Sequence, residues 1–242
     1  MMCEGVPVGW ARTEAGATAG VTGVAVPSLN GVVVASEHAE PEVIAALLDE
    51  VEADGVPYCL QGRPAVEAVL AEVASSRGMV REEYEVPLMV YEGPPGMAPE
   101  RPPTGLVIRV LRPEEARIHA EVAAAGFEAP AEFFEQLMTP ASLERPDVRA
   151  YVGEVGGQRV TTGLAVRVGT AVGVFNIGTP PDHRRRGYAG AITARIVEDA
   201  LGDGAGWAWL QSSDVGYGTY ERLGFHTLES WSCWVVDESD AS

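Results

Sequence analysis

The chain has 242 residues, 46% of them hydrophobic, enough to bury a proper core as one large domain or two smaller ones. Seventeen basic residues stand against thirty-five acidic ones, a net charge of -18, and all seventeen are arginine. The missing lysine excludes Schiff-base chemistry and a lysine-bearing phosphate loop; the acidic balance argues against nucleic acid and suits a cationic partner.

Three scattered cysteines, Cys3, Cys59 and Cys233, and four histidines show no metal-ligand spacing, so no metal is expected. No apolar run approaches the roughly 18 residues of a membrane span, and Met1 to Pro7 lack a signal-peptide pattern. The expectation is a cytoplasmic protein with no membrane partner.

In chain order, residues 21–26 and 31–35 are β-branched runs that read as paired strands around the turn Pro27-Ser28-Leu29-Asn30. Pro41 suits the first turn of a helix carrying Val43, Ile44, Leu47, Leu48 and Val51 at amphipathic spacing. A second helix follows Pro64, with Val66, Val69, Leu70 and Val73 on one face and Gly78 past its end. Residues 86–91 then form a strand. Five prolines and two glycines within residues 93–104 mark a linker with too little apolar surface for packed structure. The expected organisation is an N-terminal α+β unit over residues 1–92, this linker, and a second domain over residues 105–242.

Beyond the linker come a strand at 106–111, a helix from Pro113 with acids in its first turn, and a second helical face of Phe133, Phe134, Leu137 and Met138. Residues 149–155 and 159–168 alternate as strands around Gly156-Gly157, a hairpin signal. A strand at 171–178 leads into Thr179-Pro180-Pro181-Asp182-His183-Arg184-Arg185-Arg186-Gly187-Tyr188-Ala189-Gly190, then a helix with Ile192, Ile196, Val197 and Leu201, and strands at 207–211 and 225–235. At such a strand-to-helix turn the first helical N–H groups lack intrahelical partners and the peptide dipoles add partial positive charge. Gly187 gives the backbone freedom to aim these groups, small Ala189 and Gly190 let an anion approach, and Arg184, Arg185 and Arg186 add charged donors. The turn therefore reads as a pyrophosphate site. A dinucleotide-binding fold fits poorly, since it wants a glycine-rich turn after the first strand.

Arg184-x-x-Gly187-x-Ala189 between strand and helix resembles the acyl-CoA-binding motif of the GNAT superfamily of N-acetyltransferases. A second family motif follows, Ser213 through Tyr220-Glu221-Arg222-Leu223-Gly224-Phe225. The resemblance implies a mixed α+β fold: a central, mostly antiparallel sheet flanked by helices, preceded by a smaller α+β half-domain. It implies acetyl-CoA as cofactor. Main-chain groups of Ile177, Gly178 and Thr179 would hold the pantetheine arm. The turn from Arg184 through Arg185, Arg186, Gly187, Tyr188 and Ala189 would hold the pyrophosphate, with the amides of Arg186, Gly187 and Ala189 foremost. The arginine side chains are left as solvated or as reaching the 3'-phosphate. Tyr220 matches the family's general acid, which protonates the leaving thiolate; its alternative is packing beneath the final strand. Ser213 stands where many relatives carry an asparagine that contacts the cofactor arm.

The general base is not legible. Residues 171–178 hold only Asn176 among polar side chains, and Glu154 and Asp182 are candidates no better than surface carboxylates. Cys233 lacks a histidine partner for a nucleophile's role. The N-terminal half resembles the degenerate half-domain of some bacterial GNAT proteins; it lacks the arginine turn and is expected to bind no CoA, while Tyr58, Gln61 and Arg63 could face an acceptor cleft. The acceptor is expected to be a small-molecule or peptide amine, cationic by the charge argument, with a homodimer allowed. A catalytically inactive CoA-binding or sensory module is the competing reading.

Overall fold

The computed structural model describes residues 9–94, 96–97 and 103–236. These form two compact units: one built from residues up to 87 together with those from 229 on, the other from Leu88–Leu228.

In the first unit, strands β1 (Trp10–Glu14) and β2 (Ala17–Val21) form a hairpin turned at Ala15-Gly16, both at positive φ (43° and 86°). Strand β3 (Gly31–Val34) pairs antiparallel with β2 and parallel with β4 (Cys59–Gly62), the connection being helix α1 (Pro41–Glu52). Helix α2 (Glu67–Ser76) leads to β5 (Met79–Arg81). Strand β12 (His226–Val236) pairs with both β4 and β5. The core is Ile44, Leu47, Leu48 and Val51 from α1, Leu70 and Val73 from α2, and Val32, Val34, Leu60 and Trp234 from the strands.

The strand expected at 21–26 ends at Val21. Residues 22–26 instead wrap the buried Asn30 side chain. Its Oδ1 accepts from the N–H groups of Thr22 and Gly23, and its Nδ2 donates to the carbonyls of Val24, Val26 and Pro57. One amide side chain thus satisfies backbone groups that a ladder would otherwise have to pair.

The second unit's sheet runs β6 (Val86–Tyr91), β11 (Trp207–Gln211), β10 (Ala171–Gly178), β9 (Gln158–Val168), β8 (Val148–Val155), β7 (Leu106–Val110). Only β10–β11 is parallel within it, bridged by α6 (Tyr188–Gly202). Helices α3 (Ala116–Phe127), α4 (Ala131–Leu137) and α5 (Pro140–Glu144) follow β7, and α7 (Asp214–Arg222) follows β11. As expected, Gly156-Gly157 turns the β8–β9 hairpin, at φ 57° and 80°. Neighbouring residues of β9 show which helix covers which face. Thr162 meets His119 of α3, whereas a Cβ on Gly163 would strike Ile196 and approach Ile192 of α6.

The described part of the 93–104 segment is not structureless. Gly96 and Met97 donate their N–H groups to Glu198 Oε1 on α6 at 2.7 and 2.6 Å, and Met97 is buried in the second unit's core. Residues 95 and 98–102 lie outside the described residues.

Candidate active site

The parallel ladder between β10 and β11 covers three residue pairs, Ala171 with Trp207 to Gly173 with Trp209, and then stops. Beyond it β10 stays with β9 and β11 stays with β6 through Gln211, so the two strands part. A β-bulge lies just beyond this point. Between Phe175 and Gly178 strand β10 advances three residues while β9 advances two, and Asn176 sits at φ 50°. The opening lies where the sequence places Ile177, Gly178 and Thr179.

Those three residues offer less than all their main-chain groups. Gly178 O accepts from Thr161 Oγ1 at 3.0 Å and Thr179 O accepts from Arg184 Nε at 3.2 Å. The Ile177 side chain packs into the core against Gly163. Helix α3 closes on the strand end so tightly that a Cβ on Gly126 would lie 2.6 Å from Thr179 N.

The arginine turn follows. Arg185 and Gly187 both take left-handed conformations, φ 61° and 80°, which bends the main chain into the start of α6. Gly187 is the cap residue. No side chain caps this helix and no acid stands in its first turn, so the early N–H groups, Tyr188 and Ala189 among them, keep their positive end free. The side chains divide their work. Arg184 donates to Gly126 O at 2.8 Å and Glu128 Oε1 at 2.6 Å, tying the turn to the end of α3, and Arg186 donates to Asp182 O at 2.9 Å. Arg185 is exposed and has no side-chain partner among the described residues. His183 Nδ1, within the turn, is buried without a partner.

Helix α7 brings the second motif alongside. A Cβ on Gly190 would touch Thr219 Cγ2 at 3.5 Å, so the first turn of α6 abuts the residue before Tyr220. The half-buried Tyr220 ring makes an edge contact with Phe225 at 6.1 Å, and a Cβ on Gly216 would come within 2.9 Å of it. Burial alone pushes its phenol up to about 12, and its hydroxyl bonds to no described residue. The ring is packed, yet the proton stays on oxygen at neutral pH and is free to be offered. Ser213 caps α7, its hydroxyl accepting from Gly216 N at 3.3 Å. That hydroxyl keeps one proton to donate.

The other candidates do not join this group. Glu154 lies on β8, two strands from the opening, and its carboxylate accepts from Arg109 at 3.4 Å. Asp182 is exposed in the turn. Cys233 and Cys59 are buried in the first unit's sheet. Tyr58 belongs to that unit's core, and Arg63 donates to Glu229 at 3.0 and 3.2 Å. A cavity of about 370 Å³ lined by Asp147, Arg149, Tyr151, Arg167 and Asp203 sits at the opposite end of β8, β9 and β10, with Arg149 and Arg167 both bound to Asp203. Among the described residues no acidic, histidine or cysteine cluster could hold a metal. No described helix is long and apolar enough to cross a membrane.

Sequence reasoning passed over Thr161 and Gly126. A strand threonine and a helical glycine carry no signal of their own until the fold sets them against Gly178 and Thr179.

A family model described as an acetyltransferase (GNAT) domain matches residues 108–228, half of the chain. The chain belongs to the GNAT acetyltransferase family. As an acyltransferase-family fold, it is similar to a GCN5-related N-acetyltransferase from Kribbella flavida at 22% identity and a TM-score of 0.69, covering 94% of this chain and 89% of that one. A GCN5-related N-acetyltransferase from Sphaerobacter thermophilus is 19% identical with a TM-score of 0.62, covering 92% and 76%. A tandem GNAT protein from the clavulanic acid biosynthesis pathway is 14% identical with a TM-score of 0.57, covering 82% and 70%. At these identities the likeness is one of fold. A search of curated protein sequences finds no match. The mixed α+β GNAT architecture with mostly antiparallel sheets expected from the motifs is the one present.

Proposed function

We propose that this GNAT protein transfers an acetyl group from acetyl-CoA to a primary amine by direct attack, without a covalent enzyme intermediate. The observation that carries the reading is the parting of β10 and β11 beside the uncapped, acid-free start of α6. A slot open to a narrow arm thus leads to a positive helix end, which fits a thioester on a pantetheine chain ending in a pyrophosphate.

Bound acetyl-CoA would supply an activated acyl group. The protein's own residues do the rest. The amides around Gly187 and Ala189 hold the pyrophosphate, with the Arg185 side chain free to add a charge-assisted contact. The strand end at Ile177, Gly178 and Thr179 lines the slot for the arm. As the C–N bond forms and the C–S bond breaks, the amine gives up one proton and the departing sulfur takes one; Tyr220 holds that proton at its Oη.

The first unit carries neither of these two features. Its parallel pair, β3–β4, is joined over four residue pairs along the whole of both strands, and α1 begins with Glu40 and Glu42 where a phosphate would sit. We read it as a degenerate half of a tandem arrangement that binds no CoA.

Calorimetric titration with CoA and a thiol-release assay with acetyl-CoA, run over a panel of polyamines, peptides and aminoglycosides, test the proposal. CoA binding together with turnover of at least one amine is expected. Tight CoA binding with no turnover on any amine would instead establish a CoA-binding sensory module.

A further inference from the structure

Thr161 and Thr162 are adjacent on β9, both fully buried, and they serve opposite faces of the sheet. Thr162 Oγ1 lies 2.7 Å from Tyr151 O and 2.8 Å from His119 Nδ1, on the α3 side. Thr161 Oγ1 lies 3.0 Å from Gly178 O and 3.1 Å from Thr179 Oγ1, at the end of β10 where the slot opens.

Counting protons fixes the direction of each bond. A carbonyl oxygen can only accept, so the single Thr161 proton goes to Gly178 O. The 3.1 Å contact with Thr179 must then run the other way, with Thr179 Oγ1 donating to Thr161 Oγ1. Two hydroxyls in series end on a carbonyl, and each bond polarises the next. Thr179 has spent its only proton inward. Its remaining lone pairs are all that its half-buried hydroxyl can show to a ligand.

The Thr179 backbone has little freedom to undo this. Arg184 Nε holds its carbonyl, and the Gly126 backbone lies against its nitrogen. With the backbone so held, the contact with Thr161 sets where the Thr179 hydroxyl proton points.

We propose that Thr161 is a positioning residue which makes the Thr179 hydroxyl a pure hydrogen-bond acceptor for an N–H donor entering the slot. The inference rests on the acetyl-transfer reading. Two sources could bring that donor, an amide of the cofactor arm or the acceptor amine.

The test is a double-mutant cycle on the full chain using Thr161→Val, Thr179→Val and the pair. CoA affinity is measured by calorimetry, and KM for the best amine of the panel by thiol release. Each single variant should weaken one of these constants about 5- to 10-fold, the worth of one hydrogen bond. The pair should lose no more than Thr179→Val alone, because Thr161 acts through Thr179. Thr161→Ser should restore the wild-type value. Thr162→Val, which removes a neighbouring buried hydroxyl, should lower Tm and leave both constants unchanged. A loss in CoA affinity assigns the donor to the cofactor arm, and a loss confined to the amine KM assigns it to the acceptor. Additive losses, unchanged constants in Thr161→Val, or an equal shift in Thr162→Val would overturn the inference. Wild-type protein that binds no CoA would overturn the acetyl-transfer reading and this inference with it; the outcomes are distinguishable because the first is read before any variant is made.

Discussion

Tyr220 is packed against its neighbours, and its proposed role as proton donor can be separated from that packing by a single substitution. Tyr220→Phe keeps the edge contact with Phe225 and the packing over Gly216 while removing the hydroxyl. Turnover should fall by about 10²-fold, the lower range for a general acid, with CoA affinity nearly unchanged. Unchanged turnover would make Tyr220 a packing residue only. Gly187 is the position that tolerates least in the turn, because at φ 80° any Cβ strains the backbone by about 1–2 kcal/mol. Gly187→Ala should lower Tm modestly and weaken CoA. Gly187→Asp should abolish CoA binding, since it adds a carboxylate at the helix end; retained binding would refute the turn as the anion site.

His119 gives a pH signature. Thr162 donates to Tyr151 O, so His119 Nδ1–H donates to Thr162, leaving the fully buried Nε2 without a proton or a partner. Burial lowers its pKa from 6.5 to about 4. Below pH 6.5 the unfolded chain takes up a proton that the folded one refuses, so stability is complete above that value and falls as pH drops toward 4. The loss should reach about 3 kcal/mol. Denaturant titrations at stepped pH should show this slope in wild type and a flatter one in His119→Gln; equal slopes would mean that another group is responsible.

At the level of elements, the strand-bulge-turn-helix unit depends on how closely α3 approaches it. Gly126→Ala places a methyl 2.6 Å from Thr179 N and 2.8 Å from the Gly178 backbone, where no flexible side chain can give way. Stability should drop by about 1–3 kcal/mol and CoA affinity should fall with it, because the strand end that lines the slot is displaced. A stable variant with full affinity would show that α3 moves independently of the slot. The contrast between α1 and α6 belongs to this scale as well. Both bridge parallel strands, but one ladder stays closed behind acidic residues and the other opens behind arginines. Where local pattern was strong, elements were legible: α1 with Ile44, Leu47, Leu48 and Val51, and the Gly156-Gly157 hairpin. Elements were missed where pattern was weak. Strand β1 is largely exposed and reads as polar chain, and residues 22–26 look like a strand but serve Asn30.

For the whole molecule, the net charge of -18 predicts how a cationic amine arrives. Its kcat/KM should fall as ionic strength rises from about 10 mM to about 0.5 M, while a neutral amine's changes little. A salt-independent rate would remove the charge argument for a cationic acceptor. Strand β12 also contributes to the first unit's stability, since its Trp234 lies in that unit's core and it pairs with β4 and β5. The sequence suggested a division at residues 93–104, whereas the compact units divide near residue 87 and again near residue 229. A strand's partners are set by contacts far away in the chain, which local composition does not encode.

The sequence by itself determined the family and the fold class and marked the turn proposed here as the anion site, because Arg184, Gly187, Ala189 and the Ser213 to Phe225 run are local motifs that resemble those of the family. Only the tertiary structure decided what each residue is free to do. It committed the Arg184 side chain to Gly126 and Glu128, left Arg185 available, and gave the carbonyls of Gly178 and Thr179 partners in Thr161 and Arg184. Hydrogen-bond partners are allotted across distant segments, and that allocation exists only in the folded chain.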